Sequence, residues 1–294
     1  MGVIDKFRGA LYGVAIGDAL GGTTEFMTAS EIQQKYGRVT DIIGGGYWNL
    51  EPGETTDDTA MTMAVARGIL KDPDHPIPQI GQEFLAWAAT RPKDIGNIIA
   101  HVFRLYQGDW FAAAERAHEE LNGLTAGNGS LMRCLPVALA YADVSRMEEV
   151  TVLQSKMTHW DSLADEACRV YNRIASRMLR GQPLPSALAA EVQGTRYESA
   201  LYVEPNVVPD GFVVHTFQWV VHILSTTPDF EQAVQFAANL GGDADTIGAI
   251  AGGLAGLDCG FEALPARYVE SILVGKELDE LAVGLHRLYT KSER

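Results

Sequence analysis

The sequence predicts an all-α fold, a single compact helical domain over residues 1–294 whose long polar connections carry the chemistry. Three observations predict it. Apolar residues recur at three- and four-residue spacing along most of the 294 residues. Few stretches alternate strictly over four or more residues, which disfavours a parallel sheet of βαβ units. No long-period repeat and no low-complexity linker divides the chain.

Taken in order, Phe7, Ala10, Leu11, Val14 and Ala15 predict an opening helix that runs toward Gly17-Asp18-Ala19-Leu20-Gly21-Gly22. A short helix follows at 31–36. Gly44-Gly45-Gly46 breaks the pattern, and Pro52-Gly53 is a turn. A helix over 57–70 starts on Asp57 and Asp58, where free N–H groups and the dipole favour acids. The Pro- and Asp-rich segment 71–78 reads as a linker. Helices are expected at 80–90, 95–106 and 110–121. After the loop 124–129 comes a candidate over 130–142, which Pro136 should kink or begin. Helices at 147–157, 162–179 and 184–192 follow, then an irregular region at 194–211 in which 197–203 is ambiguous. Helices resume at 212–224, 230–239, 244–257, 265–271 and 277–289.

Composition narrows the function. The chain is 47% hydrophobic, enough for a full-sized core. Lys and Arg number 23 against 38 Asp and Glu, a net charge of −15. Such a surface repels nucleic acid and anionic membranes. An anionic small ligand would need local compensation from a metal, helix N-termini or a few arginines. Cys134, Cys168 and Cys259 are widely spaced and form no CxxC, so neither a disulfide framework nor a thiolate zinc site is expected. The first residues do not read as a signal peptide, and the apolar run 246–257 falls short of the roughly 20 residues of a membrane span. A cytoplasmic protein is expected.

Two acidic segments stand out, Glu54-Thr55-Thr56-Asp57-Asp58-Thr59 and Gly241-Gly242-Asp243-Ala244-Asp245-Thr246. A single Asp-Thr pair is ordinary helix capping. Doubled acids repel unless a cation or donors compensate them. Oxygen ligands without His or Cys nearby suit Mg²⁺, Mn²⁺ or Ca²⁺. If the segments converge, four carboxylates and two hydroxyls can balance two cations. Asp18 and Glu25 form a third patch: Asp18 as a cap in a tight turn, Glu25 as a metal ligand or a clamp on a ligand. Gly44 to Trp48 can bring backbone amides or an aromatic plane to a ligand. Gly127-Asn128-Gly129-Ser130 can form an anion-binding nest, with Arg133 one turn on, although each glycine loop alone is more often a structural turn. His159 reads equally as a cap donor and as a catalyst.

In this order the motifs Gly17-Asp18-Ala19-Leu20-Gly21 with Glu25, Thr56-Asp57-Asp58-Thr59, Asp94-Ile95-Gly96-Asn97, Gly127 to Arg133, Thr158-His159 and Gly242 to Ala249 resemble those of the ADP-ribosylglycohydrolase family, over about residues 5–270. The resemblance implies an all-α fold with a metal-lined cleft holding two divalent ions, Mn²⁺ or Mg²⁺. It assigns Thr56, Asp57, Asp58, Asp243, Asp245 and Thr246 as metal ligands. It places Glu25 near metals and ribose, and gives catalytic roles to Asp94, Asp243 and Glu25. Asn97, Asn128, Gly129, Ser130, His159 and Phe212 would meet the substrate. The activity implied is hydrolysis of the bond between ADP-ribose and a protein arginine, with the nitrogenase iron protein as target. A PII-type regulatory protein is an implied partner that could hold a monomeric enzyme at a membrane. Phe212 and His215 stand where that branch often has an aromatic hydroxyl and an acid, and Trp160-Asp161-Ser162 departs as well. Alternatives are another ADP-ribose linkage, serine-linked or O-acetyl-ADP-ribose, or an ADP-ribose-binding protein without catalysis.

Overall fold

Fifteen α-helices form among residues 2–292, the residues described by the computed structural model. In chain order they are α1 (Val3–Gly21), α2 (Ala29–Tyr36), α3 (Asp57–Lys71), α4 (Pro76–Ala89), α5 (Asn97–Leu105), α6 (Trp110–Glu120), α7 (Leu135–Ala140) and α8 (Val144–Lys156). Then come α9 (Ser162–Leu179), α10 (Leu184–Val192), α11 (Val213–Thr226), α12 (Phe230–Leu240), α13 (Ala244–Cys259), α14 (Ala266–Ser271) and α15 (Gly275–Ser292). Among the described residues β-structure is limited to three isolated bridges, Thr28 with Gly241, Gly45 with Leu50, and Gly127 with Phe212. The all-α expectation therefore holds. The expected domain also includes residues 1, 293 and 294, which lie outside the described residues.

Helices α1 and α13 form the centre. From Gly9 to Gly21 every residue of α1 is buried, and so is every residue of α13 from Ala244 to Leu257. A helix without a polar face belongs in a core. The two run antiparallel with their backbones almost touching. A Cβ on Gly17 would lie 1.9 Å from the carbonyl oxygen of Gly248, and Gly9, Gly13 and Gly21 repeat the approach against Gly256, Gly252 and Ala244. Glycine inside a helix costs about 1 kcal/mol relative to alanine; here no other residue permits the contact. These glycines do not end α1, which runs straight through Gly17 to Gly21. Asp18 is accordingly on a helix rather than in the tight turn expected for it.

Around this pair α12, α11, α15 and α3 are packed, with α4 on α3 and α7 and α8 on α9. Proline set two boundaries that spacing alone misplaced. The expected linker over 71–78 is shorter, because Pro76 occupies the first turn of α4, where a missing N–H costs nothing. The candidate over 130–142 contracts to α7, with Pro136 likewise in its first turn. Residues 128–130 instead form a 3₁₀ turn, and the ambiguous stretch 197–203 contains another at Glu198–Leu201. Cys134 and Cys168 are buried free thiols; Cys259 is only half-buried. No helix among the described residues is long and apolar enough to cross a membrane.

Candidate active site

The starts of α3 and α13 meet at the end of α1. Asp18 makes the junction. Its carboxylate accepts the backbone N–H groups of Thr56 (2.9 Å) and Thr59 (3.0 Å) and the hydroxyl of Thr59 (2.5 Å). A carboxylate on one helix thus caps the positive end of another. That contact fixes Thr56, Asp57 and Asp58. Opposite them, the Thr246 hydroxyl donates to Asp58 Oδ2 at 3.2 Å, and the Thr56 hydroxyl donates to the same oxygen at 3.2 Å. The two acidic segments are therefore in contact.

The remaining acids surround this contact. Asp57 accepts the N–H of Gly96 at 3.0 Å, which ties α3 to the start of α5. Asp243 accepts the side-chain amide of Asn128 at 2.6 Å. Glu25 accepts the indole N–H of Trp48 at 2.5 Å. Oxygen atoms of Glu25, Asp94 and Asp245 all lie within 4.8 Å of one another. Asp58 Oδ1 and Asp245 Oδ1 are buried with no hydrogen-bond partner. A buried carboxylate oxygen without a donor costs free energy that a proton or a cation can recover. Carboxylate and hydroxyl oxygens alone are the donor set of hard divalent ions, so these residues fit such a cation.

Electrostatics agree. Burial raises Asp94 to about 9, with the charges of Asp57 and Glu25 adding to the shift. Burial, reinforced by Asp243, raises Glu25 to about 8. Asp57 and Asp18 rise to about 6 through burial, and burial holds Asp58 and Asp245 well above the usual carboxylate range. Without a cation the folded state therefore binds more protons than the unfolded chain. Stability from these groups is present at acid pH and is lost as pH rises through the folded-state values. In chelator the melting temperature should fall between pH 5 and 9. Millimolar Mn²⁺ should raise it most at the alkaline end, as thermal melts across that range would show. A metal-induced rise that is largest at pH 5 would contradict the arrangement.

A cleft of 480 Å³ opens beside the cluster. Glu25, Asp57, Asp94, Asp243, Asp245 and Thr246 line it, as do Asn97, Asn128, Gly129 and His159. Thr56 and Asp58 lie behind that surface, both buried. Two residues expected at the substrate are placed elsewhere. Ser130 is buried, its hydroxyl against Ser155 (3.2 Å) and Cys168. Phe212 precedes α11 and stacks edge-on against His215 outside the cleft lining. Arg133 also turns inward. Its guanidinium donates to Gln154 and Thr158 and lies over the Phe84 ring, so it offers no charge to the cleft. The His159 ring lies under Gly127 and Gly129, its Nδ1 2.8 Å from the Thr158 hydroxyl. Burial and nearby Arg133 depress its pKa to about 3, so it is neutral at physiological pH.

Trp48, from the glycine run read as able to bring an aromatic plane to a ligand, lines the cleft, whereas Phe26, directly after Glu25, and Asp210, which pairs with His215 at 3.0 Å in the irregular region, had no pattern to mark them.

Comparison with known proteins bears on this geometry. The sequence pattern of the ADP-ribosylglycohydrolase family matches residues 1–294. The chain is 34% identical to the ADP-ribosyl-[dinitrogen reductase] glycohydrolase of Rhodospirillum rubrum over 92% of its own length and 91% of that protein. It is 28% identical to the ADP-ribosylarginine hydrolase Tri1 of Serratia proteamaculans over 96% of its length and 79% of that protein. Among solved structures, an ADP-ribosylglycohydrolase-related protein complex superposes with a TM-score of 0.84 at 30% identity, covering 97% of this chain and 98% of that one.

Proposed function

The chain belongs to the ADP-ribosylglycohydrolase family, and from that premise we propose that it hydrolyses the N-glycosidic bond between ADP-ribose and a protein arginine, with residues 1–294 acting as one domain. One observation carries the reading: the unpartnered oxygens of Asp58 and Asp245, on two helix starts that meet beside the cleft. A volume of 480 Å³ is in the range of small-molecule sites. The relatives named for arginine-linked and dinitrogen-reductase substrates support the linkage. The first of them makes the nitrogenase iron protein the first target to test, and a PII-type protein is the regulatory partner we would test beside it. A cytoplasmic monomer is the state in which the enzyme would act.

In this reading Thr56, Asp57, Asp58, Asp243, Asp245 and Thr246 hold two divalent ions. When bound, such ions orient ribose hydroxyls and stabilise developing charge. The chain does the rest. Asn97, at the start of α5, and the turn at Gly129 receive the diphosphate, where helix-end N–H groups favour anions, while Asn128 braces that turn through its N–H to Gly211 and its amide to Asp243. His159, neutral and wedged under both glycines, keeps that turn in place. Glu25 holds the ribose. Water attacks C1 as the C1–N bond lengthens, through an oxocarbenium-like transition state. Asp94 or Asp243, held ionised once cations balance the cluster, accepts the water proton, and that proton balances the one the departing guanidine nitrogen gains.

The test is release of free ADP-ribose from an arginine-linked ADP-ribosylated protein with Mn²⁺, with Mg²⁺ and with chelator. Chelator should abolish release and added metal restore it. Release from a serine-linked conjugate but not an arginine-linked one would overturn the linkage.

A further inference from the structure

The cleft has an aromatic rim that the reaction as described does not use. Phe26 is 59% exposed and Tyr47 69%, the two rings meeting edge-on at 5.0 Å. Trp48 closes the group, 4.8 Å from Tyr47 and 6.2 Å from Phe26. Phe26 and Trp48 line the cleft. Large rings in water are unfavourable, and Phe26 has in addition a φ of 62°, a conformation bulky residues avoid. It is locked there by its N–H, which donates to the Gly242 carbonyl at 2.7 Å. Tyr47 and Trp48 are just as firmly set. They sit at the tip of a turn closed by paired Gly45 and Leu50 backbone bonds of 2.8 Å, and a Cβ on Gly46 would lie 2.2 Å from the Gly22 carbonyl oxygen. Strain and exposure held this rigidly point to function.

Location selects the ligand. The Trp48 indole bonds Glu25, and Glu25 is within 4.8 Å of Asp94 and Asp245, the carboxylates beside which the proposed reaction puts ribose C1. Adenine lies at the other end of the diphosphate from C1. The group beside C1 is the arginine guanidinium. Carboxylates and aromatic faces both attract a cation, whereas neither favours phosphate.

We propose that Phe26, Tyr47 and Trp48 form the recognition site for the guanidinium-bearing side of the substrate, and so select arginine-linked ADP-ribose over neutral linkages. This rests on the arginine-linked reading above, and the test separates the two. Phe26→Leu keeps apolar bulk and removes the π face. It should raise KM for ADP-ribosyl-arginine roughly five- to thirtyfold, on the scale of a cation–π contact. The inhibition constant of free ADP-ribose, which carries adenine but no guanidinium, should stay within about twofold. Phe26→Tyr should restore KM. If the wild type binds the conjugate without hydrolysing it, competition against labelled ADP-ribose replaces KM. A preference for the conjugate that Phe26→Leu removes would then uphold the rim while the catalytic reading falls. An unchanged KM or affinity in Phe26→Leu, or a loss shared equally by free ADP-ribose, overturns the rim.

Discussion

Asp58→Asn and Asp245→Asn should each lower kcat/KM for ADP-ribose release by about 10³-fold at saturating metal. A bound cation contributes several kcal/mol of charge stabilisation, and about 1.4 kcal/mol is tenfold in rate. Both side chains are buried, and each has an oxygen that no protein donor reaches. A misfolded variant would also be inactive, so stability must be read alongside. In chelator at pH 8 removing one carboxylate relieves repulsion among Asp18, Asp57, Asp58 and Asp243. The melting temperature of Asp58→Asn should then equal or exceed that of the wild type while activity collapses. Glu277→Gln is the control. That carboxylate is half-exposed and pairs with Arg67 on the surface, where an ion pair is worth about 0–1 kcal/mol. Its activity should stay within about twofold. Equal activity in all three variants would end the case for metal ligation.

Gly17→Ala should destabilise the protein by about 3 kcal/mol, the upper end of ordinary overpacking. On an exposed helix the same change stabilises by about 1 kcal/mol, so the sign itself is diagnostic. The new methyl group would lie 1.9 Å from one backbone atom of Gly248 and 2.2 Å from another, and backbone cannot swing aside as a side chain can. Helices α1 and α13 must separate. Gly248→Ala should cost a similar amount, since its Cβ would lie 2.5 Å from the Gly17 carbonyl oxygen. One separation accommodates both methyl groups, so the double variant should cost less than the sum. Activity should fall with stability, because α1 carries Asp18 and the first turn of α13 carries Asp245 and Thr246. Chemical denaturation of the four proteins decides it. A stabilised Gly17→Ala would mean that the two backbones are not in contact.

Sequence reading was strongest where side-chain periodicity governs. Ser162–Leu179 and Leu184–Val192 were located to the residue, because their apolar positions follow one stripe and their ends carry Asp161 and Pro183. It was weakest where backbone geometry governs. Gly17 and Gly21 looked like loop punctuation, yet together with Gly9 and Gly13 they recur every four residues, a period that puts them on one helix face. The doubled acids of 56–59 and 243–246 were visible as a pattern with a need for charge compensation. The inward turn of Ser130 and Arg133 was not visible, because it depends on Gln154 and Ser155 on a distant helix and on Thr158 just past its end. The strain at Phe26 left no trace in composition, since φ is imposed by the strand of chain at Gly242.

The α1–α13 contact also dictates the order in which the molecule can be built. Of its two halves, α1 leaves the ribosome before α2 to α12 and α13 only after them, so the innermost contact has a long loop to close. During synthesis the glycine stripe of α1 and the apolar residues beside it have no native cover until Ala244 and the residues after it emerge. Asp18 can cap α3 early, but the counterpart acids at 243–245 arrive only after α12. A nascent chain halted before Asp243 would carry half of the six proposed oxygen donors and an uncovered core helix, a species prone to aggregation and dependent on chaperones.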